Sequence, residues 1–187
     1  RVVIKIYNSD LAKDEKIISR FKEKGEIIKN LVHKNIAPII DFVVEENYLA
    51  VISELIVGQN LKFAVSMKDF TKDQNIAYFK QILAGVSFGH NNNLLHRNLD
   101  PANIFFTDEY KTIKLLDFGM AEIFCFDSPE KMRVYAPMFL SPEQVRQAPK
   151  IDKRSDIYTL GVIFYFMLTR KPPFSRTSSY VEICNQI

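Results

Sequence analysis

The sequence predicts an α+β fold with two unequal lobes, a small strand-rich one followed by a larger helical one. Two observations carry this. Runs rich in Val and Ile crowd into the first 55 residues, and the strongest helical periodicities come after residue 70. The composition agrees with a folded domain: 187 residues, 47% of them apolar, 25% charged and 12% aromatic, with fifteen Phe.

The chain opens on VVIKIY, which reads as a strand over residues 1–7. Residues 10–31 place Leu11, Ile17, Ile18, Phe21, Ile28 and Leu31 at spacings that one helix face can hold. Gly25 inside that stretch costs about 1 kcal/mol relative to Ala, so the helix is expected to be locally weak there. Two more strands are expected at 39–44 and 48–55, closed by Gly58. Thr71 and Gln74 make a capping box for a strong helix in which Ile76, Phe79, Leu83, Val86 and His90 recur at steps of three and four. Short strands then bracket a polar loop: Leu94 and Leu95 before it, Ile104 to Phe106 after it, and Thr112 to Leu116 beyond. Ser141 with Pro142 starts a helix. Ser155 is the expected cap of a long apolar helix through Leu168, which Pro172 and Pro173 end.

Several function classes are disfavoured. Net charge is only +3 and the lysines are scattered, so neither a nucleic-acid surface nor a membrane surface is expected. The longest apolar run, GVIFYFML at 161–168, is far short of the roughly 20 residues of a membrane helix. Cys125 and Cys184 make no metal spacing and no disulfide framework, which implies reduced thiols and an intracellular, cytoplasmic setting. Arg1 opens directly into a strand and SSYVEICNQI stops inside an amphipathic pattern, so a longer protein is expected around this segment.

Four separated segments carry the chemistry: VVIK at 2–5, HRNLDPAN at 96–103, DFG at 117–119 and SPE at 141–143. Each is weak alone, but their order, spacing and setting together resemble a eukaryotic-type protein kinase of Ser/Thr flavour. QILAGVSFGHNNNLLHRN, SDIYTLGVIFYFMLTRKPPF and ISELIVGQNL extend the resemblance over essentially the whole chain. The resemblance implies a partial small lobe over 1–55, without the glycine-rich phosphate loop, and a hinge near 54–60. It also implies a partial large lobe over 61–187, with a catalytic loop at 96–103 and an activation segment at 117–143. Lys5 falls at the phosphate-binding lysine, Asn103 and Asp117 at the two metal-ligand positions, and Glu54 and Ile56 at the hinge whose backbone holds adenine. Val3 and Phe105 would close on the adenine. ATP and Mg2+ are the implied cofactors, because a site for that much negative charge needs a cation on the phosphates and hard ligands for the metal. Ile28, Ile39, Phe118 and His96 match an apolar column joining the lobes, with Asp156 as its anchor. Arg97 matches an arginine that receives an activation-segment phosphate, and Ser128 is a candidate for regulatory phosphorylation. Glu143 would need an arginine partner from beyond residue 187.

The departures fall on one cluster. Asn98 stands where the family has its catalytic Asp, and an amide neither orients nor deprotonates a hydroxyl well. That assistance is typically worth 10²–10⁴-fold, roughly 3–5 kcal/mol of barrier. Asp100 replaces the lysine that neutralises the transferring phosphate, turning attraction into repulsion. Ala136, in YAPMFLSPE, replaces the threonine that bridges those two. On the helix, Lys24 or its neighbour Glu23 takes the place of the glutamate that pairs with the strand lysine. Two ammonium groups about 4 Å apart repel by about 4 kcal/mol at an effective dielectric near 20, so Lys24 is expected to leave Lys5, by helix displacement or by turning to water. The sequence therefore reads as a pseudokinase, a scaffold or allosteric regulator of another protein. The alternatives are a weakly active Ser/Thr kinase with Asp100 as a displaced base, and an interaction module that binds no nucleotide.

Overall fold

In the computed structural model, residues 1–7, 9–124, 137–174 and 180–187 are described. A three-stranded antiparallel sheet forms from β1 (Val2–Tyr7), β2 (Ile39–Val44) and β3 (Leu49–Glu54), with β3 in the centre. β1 pairs with β3 so that Val3, Lys5 and Tyr7 share a face with Ser53, Val51 and Leu49. Phe42 is on that side too. Its ring meets Phe21 edge-on at 5.0 Å, which seats the helix α2 (Glu15–Lys29) on the sheet.

The single helix expected over 10–31 is two pieces, α1 (Ser9–Ala12) and α2. The break lies at Asp14, whose carboxylate accepts the N–H groups of Lys16 (3.0 Å) and Ile17 (3.3 Å) and so starts a new helix. Gly25, expected to weaken α2, lies within an unbroken helix. A Cβ there would sit 3.0 Å from the Phe42 ring, so the missing side chain lets sheet and helix close up.

The helical lobe begins with β4 (Gln59–Asn60) and α3 (Leu61–Met67). Neither was expected, although Asn60 is a good cap, its side chain accepting the Phe63 N–H at 2.8 Å. β4, β5 (Ile104–Thr107) and β6 (Thr112–Leu115) make a second antiparallel sheet. Gly58 permits it, since a Cβ at that position would lie 1.8 Å from the Phe106 carbonyl oxygen. The long helix α4 (Lys72–Asn91) carries the expected Thr71–Gln74 capping box. Leu94 and Leu95, expected as a strand, are not one. The Leu94 N–H is taken by the Gly89 carbonyl (3.0 Å) and the Leu95 N–H by the Glu122 carboxylate (2.7 Å), so neither joins a ladder.

After α5 (Met120–Phe124), the chain is described again from residue 137. Ser141 caps α6 (Pro142–Val145) with Gln144 closing a second capping box. The long apolar helix α7 (Lys153–Thr169) is capped by Asp152, not by Ser155. Asp152 offers its carboxylate to the Arg154 N–H at 2.9 Å, whereas the Ser155 hydroxyl donates to Glu143. α7 ends at Arg170 in the left-handed region, before Pro172 and Pro173. α8 (Tyr180–Gln186) completes the described chain and carries Cys184 as a half-buried free thiol. No described helix is long and apolar enough to cross a membrane.

The two lobes are stitched through residues 33–37. The Leu115 N–H donates to the Asn35 carbonyl (2.9 Å) and the Ala37 N–H to the Leu115 carbonyl (2.8 Å). The buried Asn35 amide also donates to the Ile113 carbonyl and to Gln81.

Candidate functional site

The face of β1 that carries Lys5 looks toward the segment after β6. There Lys5 Nζ lies 2.5 Å from both carboxylate oxygens of Asp117, a residue 112 positions away. Asp117 adopts φ 60°, a left-handed conformation that is uncommon outside glycine and one way in which a site stores strain. Arg97 does the same at φ 59°.

The loop 96–103 is drawn to the same place. Its Asn103 side chain donates to the Asn98 carbonyl (3.1 Å), and the Asn103 N–H donates to the Asp100 carbonyl (2.8 Å), which folds the loop on itself. The Asn103 carbonyl accepts the Leu116 N–H at 2.9 Å, so Asn103 lies across from the residue before Asp117. With its nitrogen committed to the loop, Asn103 keeps its amide oxygen as a donor atom. That oxygen and the Asp117 carboxylate are hard oxygen groups of the kind that could hold magnesium.

Beneath the loop, Asp156 of α7 is 2% exposed and receives three donors. These are the His96 N–H (2.9 Å), the Arg97 N–H (2.8 Å) and the His90 ring Nε2 (2.7 Å). His96 itself is fully buried, with its ring 5.0 Å from Phe118 in an edge-on contact. Burial pushes its imidazole below the ordinary range despite the nearby Asp156 and Asp117, so the ring is neutral. Ile28, Ile39, Phe118 and His96 are all buried. Gly89 gives Phe118 its seat, since a Cβ at residue 89 would lie 2.1 Å from the ring.

Asp100 and Asn98 both lie on the loop, half-buried. The Asp100 carboxylate accepts the Ala102 N–H at 2.6 Å and lines a cavity of about 550 Å³ with Lys62, Phe63, Met138, Phe166 and Arg170. Burial pushes this carboxyl above its ordinary value of 3.8, against the pull of the Ala102 N–H and the Lys62 ammonium. A carboxyl raised in this way stabilises the fold below its unfolded pKa and loses that contribution as pH rises through the folded value. Asp100→Asn keeps an acceptor for Ala102. It is expected to raise Tm at pH 7 by about 2–4 °C, the response of a chain this size to about 1 kcal/mol. That gain should disappear by about pH 4 in thermal melts run across pH.

Lys24 goes neither to Lys5 nor into open water. Its ammonium lies 3.3 Å from the Glu122 carboxylate on α5, with the two side chains 30% and 10% exposed. α2 is therefore not thrown off the lobe, because the charge has found a partner beyond Gly119. Glu122 was not singled out from sequence, where its only signal is a lone acid in the apolar run MAEIF. Glu143 accepts the Ser155 hydroxyl. Val3 and Phe105 are half-buried, Ile56 likewise, and Glu54 is exposed with its N–H given to the Pro38 carbonyl at 3.1 Å. Ala136, Ser128 and Cys125 lie outside the described residues.

Known proteins resemble this chain in sequence and in fold. The family described as protein kinase domain matches residues 1–187. Serine/threonine-protein kinase pkn3 of Myxococcus xanthus is 32% identical over 189 residues, covering 95% of this chain and 34% of that protein. Calcium-dependent protein kinase 4 of Plasmodium falciparum is 31% identical over 159 residues, covering 83% and 30%. Serine/threonine-protein kinase PrkC of Bacillus subtilis is 30% identical over 181 residues, covering 95% and 28%. The chain thus spans about a third of the length of these relatives. A crystal structure of Rad53 1-466 in complex with AMP-PNP superposes with a TM-score of 0.77 at 22% identity, over 99% of this chain and 45% of that one.

Proposed function

Because this chain belongs to the protein kinase domain family, we propose that it is a kinase-like domain impaired in phosphoryl transfer, which holds ATP and magnesium and acts by binding another protein. In this reading residues 1–55 are part of the small lobe, 54–60 the hinge, and 61–187 part of the large lobe. The supporting observation is a contrast within one site. Lys5 meets Asp117 and Asn103 is bonded to neighbouring Leu116, while Asn98 and Asp100 stand on the loop where the family would need a base and a cation. Lys5 would hold the phosphates, and Asp117 with Asn103 would hold the metal. Val3, Phe105 and the backbone at Glu54 and Ile56 would take the adenine. Magnesium, when bound, would neutralise phosphate charge. Without a carboxylate at Asn98, a substrate hydroxyl would keep its proton, and Asp100 would repel the terminal phosphate. With transfer removed, what remains is a shaped surface and a ligand that stabilises it, which suits a protein partner.

Thermal unfolding of the full-length protein with ATP and magnesium tests this. At about one hundred times Kd, a ligand of the folded state adds about 2.7 kcal/mol, which is about 5–10 °C here, and Lys5→Met should abolish the shift. No shift would leave an interaction module without nucleotide. Strong labelling of a protein substrate, lost in Asp117→Asn, would make the chain an active enzyme. One observation favours residual transfer as a second reading: the carboxyl of Asp100 is made more basic by burial, as a displaced base requires.

A further inference from the structure

The Glu122 carboxylate joins three segments. Oε1 accepts the Leu95 N–H at 2.7 Å, directly before the loop 96–103. Oε2 lies 3.3 Å from the Lys24 ammonium of α2. Its own backbone N–H donates to the Gly119 carbonyl (3.0 Å), and the Met120 N–H donates to the Asp117 carbonyl (3.2 Å). The first turn of α5 is thus built on Asp117 itself, and moving α5 moves Asp117. The ion pair is mostly withdrawn from water, where salt and solvent screen it less.

Lys5 and Asp117 now hold each other. A nucleotide with its metal would compete with this pair, drawing the ammonium to a phosphate and the carboxylate to the metal. A backbone shift of Asp117 would carry α5 along, because its carbonyl holds the Met120 N–H, and Lys24 holds α5 through Glu122. We propose that Lys24 and Glu122 form a latch through which α2 keeps α5 and Asp117 closed onto Lys5, and that ATP with magnesium binds the unlatched form. Glu122 is then a positioning residue, acting through Asp117. This rests on the nucleotide site proposed above. A ligand whose competent form is a minor population binds more weakly in proportion to that fraction, so opening the latch tightens binding.

The test uses the full-length protein and two readouts, amide hydrogen exchange over Met120–Phe124 and the Kd for ATP with magnesium. Glu122→Gln keeps an oxygen for the Leu95 N–H and removes the charge, and Lys24→Met keeps the aliphatic stem. Each is expected to speed exchange at least tenfold and to tighten Kd at least threefold, with no further gain when the two are combined. Unchanged exchange in the single variants overturns the latch, as does a further gain when Glu122→Gln and Lys24→Met are combined. Weaker binding of ATP with magnesium in Glu122→Gln overturns the coupling. If no variant binds ATP at all, the nucleotide reading fails, and exchange alone decides whether Lys24 and Glu122 hold α5.

Discussion

Asp156→Ala is expected to cost about 3–5 kcal/mol, the usual penalty for breaking a buried charged network by removing one member. Out of the 5–15 kcal/mol typical of a domain, that leaves a marginal fold. The carboxylate is 2% exposed and accepts the His96 and Arg97 N–H groups and the His90 ring, so its loss strands three donors at once, one buried and two partly buried. Asp156→Asn keeps an acceptor and is expected to cost less, about 1–3 kcal/mol. Urea melts of both variants check the order. The pH dependence follows from the same contacts. Burial alone raises the Asp156 carboxyl, but the His90 bond and the two backbone N–H groups outweigh it and leave it below its ordinary 3.8. A depressed carboxyl contributes stability that is present above the unfolded pKa and is lost as pH falls through the folded one. The natural chain should therefore lose stability below about pH 4, and Asp156→Asn should lose less over the same interval. An Asp156→Ala chain as stable as the natural one would remove the anchor role.

The second large effect is a gain. Asn98→Asp, Asp100→Lys and Ala136→Thr together are expected to raise phosphate transfer from ATP to a protein substrate by about 10²–10⁴-fold, the usual yield of positioned general-base assistance. Lys5 meets Asp117, and Asn103 is bonded to the residue before it, so in the proposed reading the three changes would supply a base, a cation and their bridge. Radiolabel transfer by the full-length triple variant measures it. A triple variant that still binds ATP with magnesium yet transfers no more than the natural chain would place the defect elsewhere, with Lys24 and its hold on Glu122 next in line.

The motif residues were legible because their chemistry is written in their identity. Lys5, Asn103 and Asp117 could be named through the resemblance to the kinase family, and so could the departures from it at Asn98 and Asp100. The capping boxes at Thr71 and Ser141 were legible too, since donor and acceptor sit three residues apart. What failed depended on distant partners. Ser155 has the chemistry of a cap, but Glu143 takes its hydroxyl and Asp152 does the capping. Leu94 and Leu95 have strand-like side chains, but Gly89 and Glu122 hold their N–H groups. β4 escaped notice because a two-residue strand has no periodicity to read.

By itself, then, the sequence determined the two-lobe division, most of the longer strands and helices, and the family pattern with its departures at Asn98 and Asp100, which are carried by residue type and motif order. Only the tertiary structure decided which charges meet. It set Lys5 on Asp117, gave Lys24 to Glu122 and gathered three donors on Asp156. The reason is that an ion pair forms between whichever groups packing brings within a few ångströms, and the packing of α2, α5 and α7 depends on contacts that no local pattern encodes.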